Sequence, residues 1–391
     1  MRDGFWIIDA DRHVSEPMAL WEAYLPPAFK HRAPTLEFPA PAEPLAERLA
    51  RLGPRGLVPP QPHLMLEGQP AMHKLSERAQ IELALSRQRR AGQMEAGAAP
   101  EAQLASMDAT GVDVALLFPT FTTYLLGVDT LDPQLASALA GAYNAWLRDF
   151  CRADPARLRG VGLVNLHDPV QMVPDLMRFL DLGWRAVVLR PNPVKGRLLG
   201  DPAYEPFWAA CAAHGVGVAL HEGTHTHLPT AGADRFETRF ALHACSHPME
   251  QMMGLLALIE GGVLERHPTL RVGLLEAGCG WLPYWLYRLD EVEYRHLAGE
   301  VEAHVKQPPS AYFQRQCFAS IDPGEPLLTE TIRHLGADRF LFGTDFPHLD
   351  HDIDCVGNAL SLRATIGDEA LAKILSGNAA RLFGLSVPPR E

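Results

Sequence analysis

Eight short apolar runs, each followed by helical sequence, constrain the fold of this chain more than any other feature. They fall at 5–8, 112–118, 160–166, 185–190, 216–221, 271–276, 316–320 and 339–344. The runs are continuously apolar (VGVAL, RVGLL) rather than alternating. Such runs mark strands covered on both faces, as in an all-parallel sheet. Between them lies sequence of helical period: 133–152 places Leu135, Leu139, Tyr143, Trp146, Leu147 and Phe150 close to 3.6 residues apart. Eight β-then-α units predict an α/β fold, a (β/α)8 TIM barrel. An open doubly wound sheet is the runner-up, but no Gly-x-Gly-x-x-Gly follows the first run and no P-loop pattern occurs.

One segment breaks the alternation. Residues 15–100 are rich in proline, alanine, glutamate and arginine, and only 76–90 reads as a helix. This is expected to be a long insertion after strand one, partly loop, lying as a cap over one face. The chain, 1–391, is then expected to be a single barrel domain.

Charge narrows the partners. The chain carries 35 basic and 47 acidic residues, a net charge of −12, which argues against a nucleic-acid footprint. The densest basic cluster, Arg87 to Arg90, reads as a solvated helix face. The six cysteines are widely spaced with no Cys-x-x-Cys pair, so reduced thiols in a cytoplasmic protein are expected. The sequence MRDGFWIIDADRH has no apolar signal core, and no run reaches a membrane span. The longest apolar run, Met252 to Leu264, is broken by Glu260, Gly261 and Gly262.

Four of the predicted strands end on ionisable residues. Strand one leads into Asp11 and His13, strand five ends on His221, strand six on Glu276, and strand eight is followed by Asp345 and, three residues on, His348. In a TIM barrel the C-terminal strand ends converge, whatever their separation in sequence. Residues i and i+2 of an extended segment point the same way, so Asp11 and His13 share a face. Carboxylates and imidazoles without thiolates suit divalent Zn, Mn or Fe. A buried set of such groups without a cation is costly. Taken singly, His221 reads equally well as a hydrogen-bonded core histidine, and Asp345 as a turn cap.

The chain resembles the amidohydrolase-related (amidohydrolase-2) family, which includes the aminocarboxymuconate-semialdehyde and resorcylate-type decarboxylases. The matching stretches are Ile8 to Val14, Gly111-Val112-Asp113, His221-Glu222-Gly223, Gly261 to Val272, Glu276 to Pro283, Gly343-Thr344-Asp345 and Gly377 to Gly384. The resemblance implies metal ligands at Asp11, His13, His221 and Asp345. Two positions depart from the common family pattern. Asp11 stands where a histidine is usual, although the family's decarboxylases use glutamate there. Glu276 stands where a water-activating histidine is frequent.

Further histidines are candidate ligands for a second ion: His348, and His247 with His243, spaced i, i+4 on one predicted helix face. His225 and His227 are candidate substrate contacts, and Arg190 is a candidate bidentate partner for a substrate carboxylate. One or two divalent ions are expected. The first functional reading is hydrolysis or non-oxidative decarboxylation of a small, carboxylated organic substrate. Asp345 then takes the proton of metal-bound water, and Glu276 acts as base or orients substrate. The alternatives are a dinuclear non-haem iron or Mn/Fe oxygenase and a non-catalytic subunit of a hetero-oligomer. By resemblance, a homo-oligomer or an oligomer with a homologue is expected.

Overall fold

A computed structural model describes residues 1–73, 75–89, 97–222, 226–348 and 354–386. The eight predicted strands are present as β1 (Ile8–His13), β2 (Val114–Phe118), β3 (Leu158–Gly160 continued by Gly162–Leu163), β4 (Ala186–Leu189), β5 (Gly217–Leu220), β6 (Arg271–Leu274), β7 (Cys317–Ser320) and β8 (Phe340–Leu341). Neighbours pair in parallel and in sequence order: Ile8 opposite Val114, Leu189 opposite Leu220, Leu220 opposite Leu274, Ser320 opposite Leu341. The first and last strands are joined by backbone hydrogen bonds from Ala10 to Phe342, Asp345 to Asp11 and His13 to Phe346, at 2.9, 2.8 and 2.7 Å. The strands therefore form the ring of a TIM barrel. Their residues are buried almost throughout, which is why the sequence shows no alternation.

Helices wrap the ring. Pro133–Cys151 starts on an Asp132 side chain that accepts from the Gln134 amide, with proline in the first turn, and it buries all six apolar residues singled out by period. The helical sequence over 240–266 forms two helices, Arg239–Glu260 and Val263–Arg266. The break falls at Gly262, whose φ of 72° is open to glycine and strained for other residues. The Trp- and Tyr-rich sequence over 281–304 forms Trp281–Tyr287, a widened turn over Arg288–Tyr294, and Arg295–Val301.

The 15–100 segment holds more structure than its sequence suggests. The helix Glu77–Arg89 is joined by the helices Ala19–Tyr24 and Leu45–Leu52 and by a small antiparallel sheet of Thr35–Glu37, His63–Leu66 and Gln69–Pro70. These elements are three to eight residues long, apart from the two-residue last strand, too short to show a period. Val58, Ile81 and Ala84 form a cluster of their own, separate from the main core, with Leu52 and Leu85 packed against it.

Candidate metal centre

The C-terminal strand ends bring together most of the residues singled out by sequence. His13 is fixed first: its Nδ1 lies 2.9 Å from the Pro119 carbonyl, so Nδ1 carries the proton and Nε2 offers a lone pair. That Nε2 lies 3.1 Å from His221 Nε2, 3.2 Å from Asp345 Oδ1 and 3.5 Å from Asp11 Oδ1. His221 Nε2 in turn lies 3.3 Å from Asp11 Oδ1 and 3.2 Å from Glu276 Oε2. Asp11 Oδ1 is buried without a hydrogen-bond partner. Donor atoms bonded to one cation at roughly 2.1 Å sit roughly 3.0–3.4 Å apart in octahedral or tetrahedral arrangements. The observed separations fall close to that range, and carboxylates with a lone-pair imidazole supply few protons to share. These residues fit a divalent metal.

Electrostatics agree. Burial pulls the His221 imidazolium down, but Asp11, Glu276 and Asp345 outweigh it and hold the pKa at about 9. Burial pushes Asp11 up, but His221 and His13 bring it to about 2. Burial likewise raises Glu276, and His247 and His221 hold it well below the usual range. Three carboxylates thus demand positive charge from their surroundings.

The second set of candidates lies beside the first. Glu276 Oε2 stands between His221 and His247, 3.5 Å from His247 Nε2. The His243 ring stacks on His247 with centroids 4.4 Å apart. His348 places Nδ1 2.7 Å from Asp345 Oδ1 and Nε2 3.0 Å from Thr120 Oγ1. Asp345 and Glu276 share a backbone feature invisible in sequence, φ values of 50° and 52° in the left-handed region. Non-glycine residues held there are concentrated at functional sites.

The substrate-contact candidates are placed differently. The Arg190 guanidinium donates to Glu222 Oε1 at 2.8 Å, Asn192 Oδ1 at 3.2 Å and Thr226 Oγ1 at 3.3 Å, a buried network behind His221 rather than in the cavity over the strand ends. Its partner Glu222 does line that cavity. His227 faces the cap, with Nε2 2.8 Å from the Pro70 carbonyl and its ring 4.5 Å from His73. His225 lies outside the described residues.

Sequence reasoning missed the supports of the ligands. Asp9, two residues before Asp11, accepts from the Thr344 amide at 2.8 Å and the Arg12 guanidinium at 3.3 Å. Arg12 also donates to Gln103, which donates to the His13 carbonyl, both at 2.7 Å. At Gly343 an added Cβ would come within 2.5 Å of Asp11 Cβ, so β8 passes β1 at Asp11 itself. The signal lies in Asp9-Ala10-Asp11-Arg12-His13, where a second aspartate and an arginine flank the candidate ligands.

Above the strand ends is a cavity of about 150 Å³. It is lined by His13, His221, Glu276, His247 and His348, and also by Met72, Leu75 and Leu83 of the 15–100 segment. A cavity of that size is on the scale of one benzene ring.

A parallel barrel with carboxylates and imidazoles gathered at its C-terminal strand ends belongs to the class of metal-dependent barrel enzymes. The chain is a member of the amidohydrolase family, whose profile matches residues 8–385. It is 24% identical over 291 residues to a 2-amino-3-carboxymuconate-6-semialdehyde decarboxylase of Dictyostelium discoideum, covering 73% of this chain and 77% of that protein. It is 28% identical over 305 residues to a gamma-resorcylate decarboxylase of Rhizobium radiobacter, covering 73% and 87%. Among solved structures, an amidohydrolase of Mycobacterium avium subsp. paratuberculosis K-10 superposes with a TM-score of 0.74 at 21% identity, covering 97% of this chain and 99% of that one. A manganese-bound 5-carboxyvanillate decarboxylase of Novosphingobium aromaticivorans superposes with a TM-score of 0.68 at 22% identity, covering 98% of each chain. These likenesses establish the fold.

Proposed function

We propose that the protein catalyses the non-oxidative decarboxylation of a small carboxylated aromatic or comparably unsaturated acid, using a divalent metal held by Asp11, His13, His221 and Asp345. One observation carries the reading: four donor atoms from three strand ends, neighbours 3.1–3.5 Å apart, under a cavity the size of one ring. The kinship with decarboxylases supports it. Manganese is the favoured ion, by analogy with the relative that binds it.

When bound, the metal supplies a Lewis acid for the substrate's oxygen atoms. In the reaction the bond from ring carbon to carboxyl breaks, CO2 leaves, and the electron pair stays on carbon until a proton arrives. His348, which lines the cavity, and Asp345, 2.7 Å from it, hold that proton. Glu276 orients the substrate from the opposite side, and Arg190 fixes Glu222 on the cavity wall. The cap residues Met72, Leu75 and Leu83 exclude water from the ring carbon.

The test uses protein stripped of metal and reloaded with Mn2+, assayed for CO2 release from a panel of hydroxybenzoic and carboxyvanillic acids. Turnover on at least one acid is expected. Asp345→Asn is expected to lose at least about 100-fold in kcat and about tenfold or more in metal affinity, with the fold intact. Full activity in that variant at normal metal occupancy would refute the site.

One observation favours a second reading, in which two ions are bound. Glu276 Oε2 stands between His221 and His247, where it can bridge. Metal analysis of protein purified without added metal separates the readings. Two irons, or iron with manganese, together with O2 consumption, would replace the decarboxylase by an oxygenase.

A further inference from the structure

A second cavity, of about 100 Å³, lies within the 15–100 segment beside the first. Met72, Leu75 and Leu83 line both, so side chains of that segment stand between the two. These three side chains are apolar and half-buried. Among the described residues they belong neither to the main core nor to the small cluster around Val58, Ile81 and Ala84. An apolar side chain left half in water forfeits much of what its burial would contribute. Packing of the folded chain does not account for the three, and contact with a ligand does.

The helix Glu77–Arg89 serves both sides. Ile81 and Ala84 bury themselves in the small cluster. Gln80, Leu83 and Arg87, three and four residues apart, form another face and line the second cavity, Arg87 exposed at its end. The strand His63–Leu66 supplies His63 and Leu64 to the same cavity. The polar groups of the lining are largely spent within the segment. Gln80 Nε2 donates to the Leu75 carbonyl and Gln61 Nε2 to the Pro59 carbonyl, both at 2.9 Å. The His73 ring stands edge-on to His227. What remains for a guest is apolar contact, and Met72, unbranched and adaptable, is the side chain between the cavities that gives way most readily.

We propose that the second cavity receives an apolar extension of the substrate, about the size of one further ring, which reaches it past Met72. The substrate is then an unsaturated acid of two-ring length, its acid-bearing ring over the metal ligands and the rest within the 15–100 segment. The proposal rests on the decarboxylase reading for the first ring. It makes that segment the part of the chain that selects substrates by length.

The test is binding, read by calorimetry on Mn2+-loaded protein with benzoate, 3-phenylbenzoate, 4-phenylbenzoate and 4-butylbenzoate. At least one phenylbenzoate is expected to bind about tenfold or more tightly than benzoate, as burial of a second ring implies. His63 lines the second cavity and not the first, and its side chain holds no hydrogen bond or ion pair among the described residues. His63→Trp fills that cavity and is expected to remove most of the gain while leaving benzoate within about twofold. His63→Ala leaves the cavity open and is expected to keep the gain. Equal affinity for benzoate and every longer acid would overturn the proposal. So would a His63→Trp variant that binds the phenylbenzoates as tightly as the wild type, or an equal loss in both variants. The two readings fail separately. Benzoate binding indifferent to metal removal counts against the metal-centred reading, while the gain with length remains measurable.

Discussion

His13 and His221 approach nitrogen to nitrogen at 3.1 Å, and one imidazole already spends its proton on a carbonyl. At this scale the site is defined by an excess of acceptors over protons, and charge has to come from elsewhere. Glu250 shows the same pressure one layer back. It is buried, accepts from the Ala231 amide, and lies near Glu222. Burial first, and Glu222 further, raise its pKa to about 7 despite Arg190. The unfolded value is roughly 4.3, so folding favours the protonated acid. Its stabilising contribution is complete below about pH 4 and is lost as pH rises through about 7. Glu250→Gln keeps the acceptor for Ala231 and never ionises. Denaturant titrations from pH 5 to 8 should show this variant losing less stability with pH than the wild type, by on the order of 2–3 kcal/mol. Parallel curves for the two proteins would remove Glu250 as the cause.

At the scale of elements, the barrel was legible because buried parallel strands leave an uninterrupted apolar record, and the site because four of those runs led into ionisable residues. Asp11, His13, His221, Glu276 and Asp345 could be collected without knowing a single distance. What the chain does with Arg190 was not legible, because its partner Glu222 is thirty-two positions away on another strand end. The cap was legible only as Glu77–Arg89, since its other elements run for a turn or two. Nor does the sequence tell that Gly343 is there for contact rather than flexibility. An added methyl would meet Asp11 Cβ at 2.5 Å, where β1 and β8 are hydrogen-bonded. Gly343→Ala should therefore push two ligand-bearing strands apart, costing about 1–3 kcal/mol of stability. Its Mn2+ affinity should fall by about tenfold or more. Isothermal titration with Mn2+ beside a thermal melt checks both, and unchanged metal affinity would show that the strands have room.

For the whole molecule, the proposed metal site makes a prediction about stability, because folding alone brings Asp11, His13, His221 and Asp345 together. Ligand that binds only the folded form adds about 2.7 kcal/mol at a hundred times its Kd. For a chain of this size that corresponds to a melting temperature roughly 3 °C higher with Mn2+ than with chelator. Differential scanning calorimetry in EDTA, then with Mn2+ restored, measures it. A melting temperature indifferent to both would mean that the ligand set holds no ion. No helix among the described residues is long and apolar enough to cross a membrane.

The bonds from Ala10, His13 and Asp345 across to the facing strand have a consequence in time as well as space. Asp11 and His13 are synthesised more than three hundred residues before Asp345. Until then β1 has no β8 to lie against. The cluster of Asp11, His13, His221 and Asp345 is therefore completed only after β8 has been made, and any cation it holds arrives after that.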